Sequence, residues 1–115
     1  MTAPLTFCEA IAREEGFYVT GTRAERNCNP GNIEYGKFTL AHGATGTDGR
    51  FAIFPDKETG FACMKALFAG AYKGLTVAQA VSKWAPSSEN DTQSYINNVC
   101  QWTGLTPDTL IDEHL

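Results

Sequence analysis

The stretch from Asn27 to Phe54 decides what the rest of this chain must do. Asn27-Cys28-Asn29-Pro30-Gly31-Asn32 is a tight-turn segment, because asparagine side chains bond their own backbone, proline fixes φ and glycine accepts positive φ. Ile33-Glu34-Tyr35 and Phe51-Ala52-Ile53-Phe54 read as short strands. Between them lies the turn-dense run Gly43-Ala44-Thr45-Gly46-Thr47-Asp48-Gly49-Arg50, in which Asp48-Gly49 marks a tight turn. Two or three antiparallel strands of this length are not stable alone. They must pack against helices, and the flanks have to supply them.

On the N-terminal side, Leu5, Cys8, Ile11 and Ala12 follow a helical period and gather on one face. The spacing predicts a helix from Pro4 to Glu15, with Thr2 or Ala3 before it and the proline tolerated in the first turn. Gly16, the residue type that most readily takes the left-handed cap, stops it. Phe17-Tyr18-Val19 leads through Gly21 into Arg23-Ala24-Glu25-Arg26, read as a polar connection. On the C-terminal side, Asp56 or Thr59 caps a helix with Phe61, Met64, Leu67, Phe68 and Ala71 on one stripe, ending at Lys73-Gly74. Thr76 with Gln79 forms a capping box for a helix bearing Val77, Ala80, Val81 and Trp84, closed by Pro86. Asn90 with Gln93 repeats the pattern and starts a helix carrying Tyr95, Ile96, Val99 and Trp102 toward Gly104. Thr106-Pro107 opens a last turn or helix through Leu110 and Ile111.

The sum predicts an α+β fold, mainly helical, with a small antiparallel sheet flanking a cleft between sheet and helices. A chain of 115 residues is one domain, 1–115, with room for one core. It has 43 % hydrophobic residues but no run of about 18 apolar ones, so no membrane span is expected. A net charge of -4 with no basic run argues against a nucleic-acid partner. Affinity for a neutral polymer such as a glycan stays open. Met1-Thr2-Ala3-Pro4-Leu5-Thr6 has neither a positive nor an apolar region of the secretory kind, so no Sec signal is read. Cys8, Cys28, Cys63 and Cys100 include no CxxC spacing, and with only His42 and His114 as partners no metal site is expected. Their scatter along the chain favours at least one disulfide, of unspecified pairing.

Glu15 is the residue this pattern singles out. At ~100° per residue it falls between the directions of Cys8 and Ile11, on the apolar face. An acidic pair at a helix end is ordinarily a solvated face. A carboxylate on the buried side must instead be paired, hydrogen-bonded or protonated.

Taken together, Glu15-Gly16-Phe17 after an amphipathic helix, Arg26-Asn27-Cys28-Asn29-Pro30-Gly31-Asn32-Ile33, Gly46-Thr47-Asp48-Gly49-Arg50-Phe51-Ala52-Ile53-Phe54, and Trp84-Ala85-Pro86 with Glu89-Asn90-Asp91-Thr92 and Tyr95 resemble the lysozyme-like superfamily. More narrowly, they resemble small peptidoglycan-cleaving domains of bacteriophage virion proteins and endolysins and of toxic type VI secretion effectors. The resemblance runs from about Ile11 to Gly104. It implies cleavage of the β-1,4 bond between N-acetylmuramic acid and N-acetylglucosamine, with Glu15 as general acid and no cofactor. It places Tyr95 where lytic transglycosylases keep a tyrosine beside that glutamate. It implies action in the bacterial periplasm, reached by secretion machinery, phage injection or lysis, by a monomer whose partners are glycan strands and a cognate immunity or inhibitor protein. Cys28 departs from the pattern, where relatives more often carry another asparagine, and hints that a disulfide ties the loop.

Glycosidic cleavage needs a proton delivered to the leaving oxygen, and an apolar surround favours a carboxyl that still holds one. Asp48 is the first candidate for a second carboxylate, against its alternative as a plain turn residue, and Glu34 the second. Without either, the sugar's own N-acetyl or 6-hydroxyl group assists and the product carries a 1,6-anhydro end. Tyr95 is read as a partner of Glu15 or of substrate, against a place in the helical core. Asn29, Asn32 and Asn90 are read as donors to N-acetyl groups, against capping turns and helices. Phe51 and Phe54 are read as core, while Trp84 and Trp102 suit either core or sugar. The competing expectation is a non-catalytic virion or secretion component of the same fold.

Overall fold

The computed structural model describes residues 3–115, so Thr2, one of the two residues expected before the first helix, lies outside the described part. Helix α1 spans Phe7–Glu14 and begins later than its apolar spacing indicates. Thr6 is the N-cap: its hydroxyl accepts from the Glu9 N–H at 3.2 Å while the Glu9 carboxylate accepts from the Thr6 N–H at 2.9 Å. This capping box fixes the start. Pro4 and Leu5 precede the helix, and the Leu5 N–H donates to the Trp102 carbonyl at 3.0 Å. At the other end, the Phe17 N–H donates to Ala12 O at 2.9 Å and the Gly16 N–H to Arg13 O at 3.1 Å, with Gly16 at φ 84°. That is a Schellman motif, and it makes Glu15 the C-cap residue.

Two short helices form outside the expected elements, one of them in the segment read as a polar connection. The first, α2, spans Arg23–Arg26 under a Thr22 cap, and α3 spans Lys37–Ala41. Neither is long enough to show a periodic apolar stripe. The sheet is also smaller than expected. Strand β1, Gly46–Thr47, pairs antiparallel with β2, Ala52–Ile53, in the register Gly46 to Ile53 and Thr47 to Ala52. The expected strand Ile33-Glu34-Tyr35 is reduced to a single bridge between Glu34 and Phe51, because the chain turns into α3 directly after it.

The remainder is helical. Helix α4, Lys57–Gly70, is capped by Asp56, whose carboxylate accepts from the Thr59 N–H at 2.8 Å. It ends a turn before Lys73-Gly74. Helix α5, Val77–Trp84, opens with the Thr76–Gln79 capping box. Helix α6, Thr92–Thr103, is capped by Asp91, which accepts from the Ser94 N–H at 3.1 Å, and not by Asn90. Gly104 closes it at φ 76°. The segment after Thr106 forms turns, with Leu110 bridged to Thr76 and Ile111 fully buried. The fold is thus α+β and mostly helical, and among the described residues no helix is long and apolar enough to cross a membrane.

Helix α1 packs on α6 and α4, and α6 on α5. Phe7, Ile11, Met64, Phe68, Val81 and Val99 are fully buried between them, with the Phe7 and Phe68 rings edge-on at 5.0 Å. A second small core of Ala52, Phe54 and Cys63 joins the sheet to α4. Gly60 makes that junction possible: a Cβ there would collide with the Cys28 carbonyl and stand 2.8 Å from Pro30 Cδ. The glycine lets the turn-forming loop lie directly on the α4 backbone.

All four cysteines are free, which corrects the expectation of a disulfide. Cys8 sits in the main core and Cys63 in the smaller one, each serving as a small apolar side chain. Burial pushes the Cys8 thiol up to about 12 and the Cys63 thiol up to about 11. It raises Cys100 too. The loop at Cys28 is tied by hydrogen bonds of Asn27 and Asn29.

Candidate active site

A cleft of about 530 Å³ opens where α1 ends. Glu15, Gly31 and Asn32 lie in it, one wall comes from Ile33, Glu34, Arg50 and Phe51, and another from Trp84, Ala85, Glu89 and Asn90. The Schellman cap explains why Glu15 is there. It terminates α1 at that residue and turns the backbone away, leaving the side chain between helix and loop.

Two side chains hold the Glu15 carboxyl group. Tyr95 Oη donates to Oε2 at 2.8 Å, and Asn32 Nδ2 donates to Oε1 at 3.3 Å. Tyr95 comes from the first turns of α6 and is only 5 % exposed. Its burial, and then the charge and hydrogen bond of Glu15, push the phenol well above its ordinary range. It therefore remains a hydroxyl, and it donates to the Glu15 carboxyl group. One helical turn further on, Asn98 Nδ2 donates to Glu14 Oε2 at 3.1 Å, so both carboxylates at the end of α1 are fastened to α6.

Asn32 reaches Glu15 at a backbone cost. Its φ is 46°, in the left-handed region, and its Oδ1 is shielded from solvent without a hydrogen-bond partner among the described residues. Strain and an orphaned acceptor at one residue are typical of a position held for function. The neighbouring Asn29 holds the loop in place. It is fully buried, Nδ2 donates to the Ile33 and Ala52 carbonyls at 2.9 Å each, and Oδ1 accepts from the Ile33 N–H at 3.0 Å. No atom of it is left to meet a sugar, so its expected role as a donor to substrate gives way to tying the loop to β2.

Asp48 is likewise committed elsewhere. Its Oδ1 accepts from the Phe51 N–H at 2.8 Å and the Arg50 N–H at 3.0 Å, and its Oδ2 accepts from Asn27 Nδ2 at 2.9 Å and faces Arg23 Nε at 3.4 Å. These donors hold its carboxyl down at about 2, the Phe51 and Arg50 N–H groups most strongly. It builds the turn between β1 and β2, and it does not line the cleft. Glu34 does line it, but is paired with Arg50, whose Nη2 and Nε stand 3.0 and 3.1 Å from Oε1. Asn90 is exposed at the cleft edge, its Nδ2 donating at 3.4 Å to the Pro86 carbonyl.

The aromatic expectations resolve around the cleft, and two charged wall residues were not anticipated from sequence. Phe51, expected in the core, is half-buried in the wall with the guanidinium groups of Arg23 and Arg50 at 4.9 and 4.8 Å from its ring centre, while Phe54 is core as expected. Trp84 packs on Phe68 with ring centres 4.9 Å apart and presents its remaining surface to the cleft. Trp102 lies elsewhere, under the Arg13 guanidinium. Glu89 and Arg50 are the charged wall residues that sequence patterning did not select. Arg50 is detectable only by its place directly after the Asp-Gly turn.

No protein-family model matches this chain. No curated protein sequence matches it significantly either.

Proposed function

We propose that this protein cleaves the β-1,4 glycosidic bond between N-acetylmuramic acid and N-acetylglucosamine in bacterial peptidoglycan, with Glu15 as the proton donor and the lysozyme-like arrangement as its framework. The observation that carries the reading is the grip on Glu15. A helix-terminating carboxyl group, fixed through both oxygens by Tyr95 and Asn32, stands in a cleft of about 530 Å³. Positioning of this kind is what general acid catalysis requires.

The same geometry favours one outcome. Asp48 is spent on its turn and Glu34 is paired with Arg50, and neither hydrogen-bonds a group that holds Glu15, which favours assistance by the substrate itself. In the reaction we propose, Glu15 gives its proton to the leaving glycosidic oxygen as that bond breaks. The 6-hydroxyl of the muramyl residue then closes on the anomeric carbon and returns its proton to Glu15. The products are a free 4-hydroxyl end and a 1,6-anhydromuramyl end, and the enzyme is regenerated. Tyr95 donates to Glu15 throughout, and Asn32 restrains the other oxygen.

Clearing of purified sacculi tests the reading. The wild-type protein should lower turbidity, and Glu15→Gln should slow it by about 10²-fold or more with the fold intact. A Glu15→Gln protein that clears sacculi at the wild-type rate would remove the assignment.

A further inference from the structure

Arg50 is the one cation lining the cleft among the described residues, beside the acidic side chains of Glu34 and Glu89. Its backbone is fixed by the Asp48 turn, to which its N–H donates at 3.0 Å. Its guanidinium is fixed twice more, on one edge by Glu34 Oε1 and on one face by the Phe51 ring at 4.8 Å. A guanidinium has five N–H donors. Glu34 engages the Nε and Nη2 edge, and no other hydrogen bond of this group forms among the described residues, so the Nη1 edge stays free. The pair with Glu34 is exposed on both sides, 68 % for Arg50 and 65 % for Glu34, and such pairs contribute little to stability. Its consequence is orientation.

We propose that Arg50 reads a carboxylate carried by the glycan, so that the cleft selects an acidic amino-sugar polymer over a neutral one. This rests on the reading of the cleft as a peptidoglycan site and names how it tells its substrate from chitin. Both polymers share the β-1,4 backbone and the acetamido groups. Only the muramyl residue adds a lactyl ether ending in a carboxylate. An oriented guanidinium meets that group with charge-assisted hydrogen bonds, whereas a neutral chain leaves it facing solvent. Without Arg50, Glu34 and Glu89 would repel the acidic polymer.

The test is a calorimetric titration of the Glu15→Gln protein, which holds ligand without turnover. The three ligands are an N-acetylglucosaminyl-N-acetylmuramyl tetrasaccharide with free lactyl carboxylates, its methyl ester, and chitotetraose. The free acid should bind about tenfold tighter than the ester, and the ratio should shrink as salt is raised. Adding Arg50→Gln should bring the ratio close to one, and Arg50→Lys should restore part of it. Equal binding of acid and ester, or an Arg50→Gln protein that loses both by the same factor, would overturn the proposal. Arg50-dependent selectivity in a protein whose wild type never clears sacculi would uphold this inference and remove the enzyme. Clearing without that selectivity would do the opposite, and binding of none of the three would remove both.

Discussion

Tyr95 Oη and Glu15 Oε2 stand 2.8 Å apart although 80 positions separate them in the chain, and this hydrogen bond joins the C-cap residue of one helix to the first turn of another. Burial keeps Tyr95 protonated, so it acts by holding the carboxyl group and not by exchanging protons. Tyr95→Phe should lower the rate of sacculus clearing about tenfold to a hundredfold, since small errors in the placement of an acid are costly. Stability should fall by only about 1 kcal/mol, the usual value of one hydrogen bond. Parallel turbidity and thermal-melt measurements separate the two effects. A variant that melts much earlier yet clears normally would make the tyrosine a core residue alone.

Asn32 offers a sharper division between backbone and side chain. Its φ of 46° suits glycine, so Asn32→Gly should preserve the loop, changing stability by less than about 1 kcal/mol, while activity falls with the lost restraint on Glu15. Asn32→Val should cost about 1–2 kcal/mol more, the penalty of a left-handed conformation, heavier for a branched residue. Urea midpoints and clearing rates for the two variants check both statements. Full activity in Asn32→Gly would dismiss the side chain.

Asp48 gives a pH dependence with a definite sign. Its carboxyl group is held down at about 2 by the Phe51 and Arg50 N–H groups and by Asn27. A depressed acid contributes its stability fully above the unfolded value of about 3.9 and loses it as pH falls through the folded one. The difference in urea midpoint between wild type and Asp48→Asn should therefore be constant near neutrality and shrink between about pH 4 and 2. A difference that grows on acidification would show that the carboxylate is not held in this way.

The free thiols carry a fourth expectation. With Cys8 at about 12 and Cys63 at about 11, neither forms an appreciable thiolate at pH 8, so an aromatic disulfide reagent should label them only on unfolding. Stopped-flow labelling with and without denaturant measures this. Fast labelling of both in the native state would contradict their burial.

Gly60→Ala should destabilise by about 2 kcal/mol or more, because the added methyl meets the Cys28 carbonyl, a backbone group with no room to move. Thermal melts read the loss directly. If the variant melts with wild type, the loop does not rest on α4 as described.

What could be read from the chain divides along physical lines. The capping boxes and glycine stops are local chemistry, so the helices carrying Met64, Val81 and Tyr95, and the position of Glu15 at the end of the first, follow from sequence. The reduction of the expected strand at Glu34 to a single bridge and the short helices at Arg23 and Lys37 do not, since each is set by what the loop packs on. The roles of the polar loop residues were the least accessible. Asn29 and Asn32 are three positions apart in one turn, yet the first is buried against β2 and the second turned toward Glu15. Only the fold of the loop distinguishes them. Asp48 and Arg50 differ in the same way, one consumed by the turn it shapes and the other presented by it.

Mass spectrometry of the muropeptides released from purified sacculi is the decisive measurement, run with wild type and Glu15→Gln side by side. Wild type should release fragments ending in 1,6-anhydromuramic acid, and Glu15→Gln almost none. Release of muropeptides in equal yield by both proteins, or by neither, would contradict the proposal that a carboxyl group at position 15 delivers the proton that breaks the glycan.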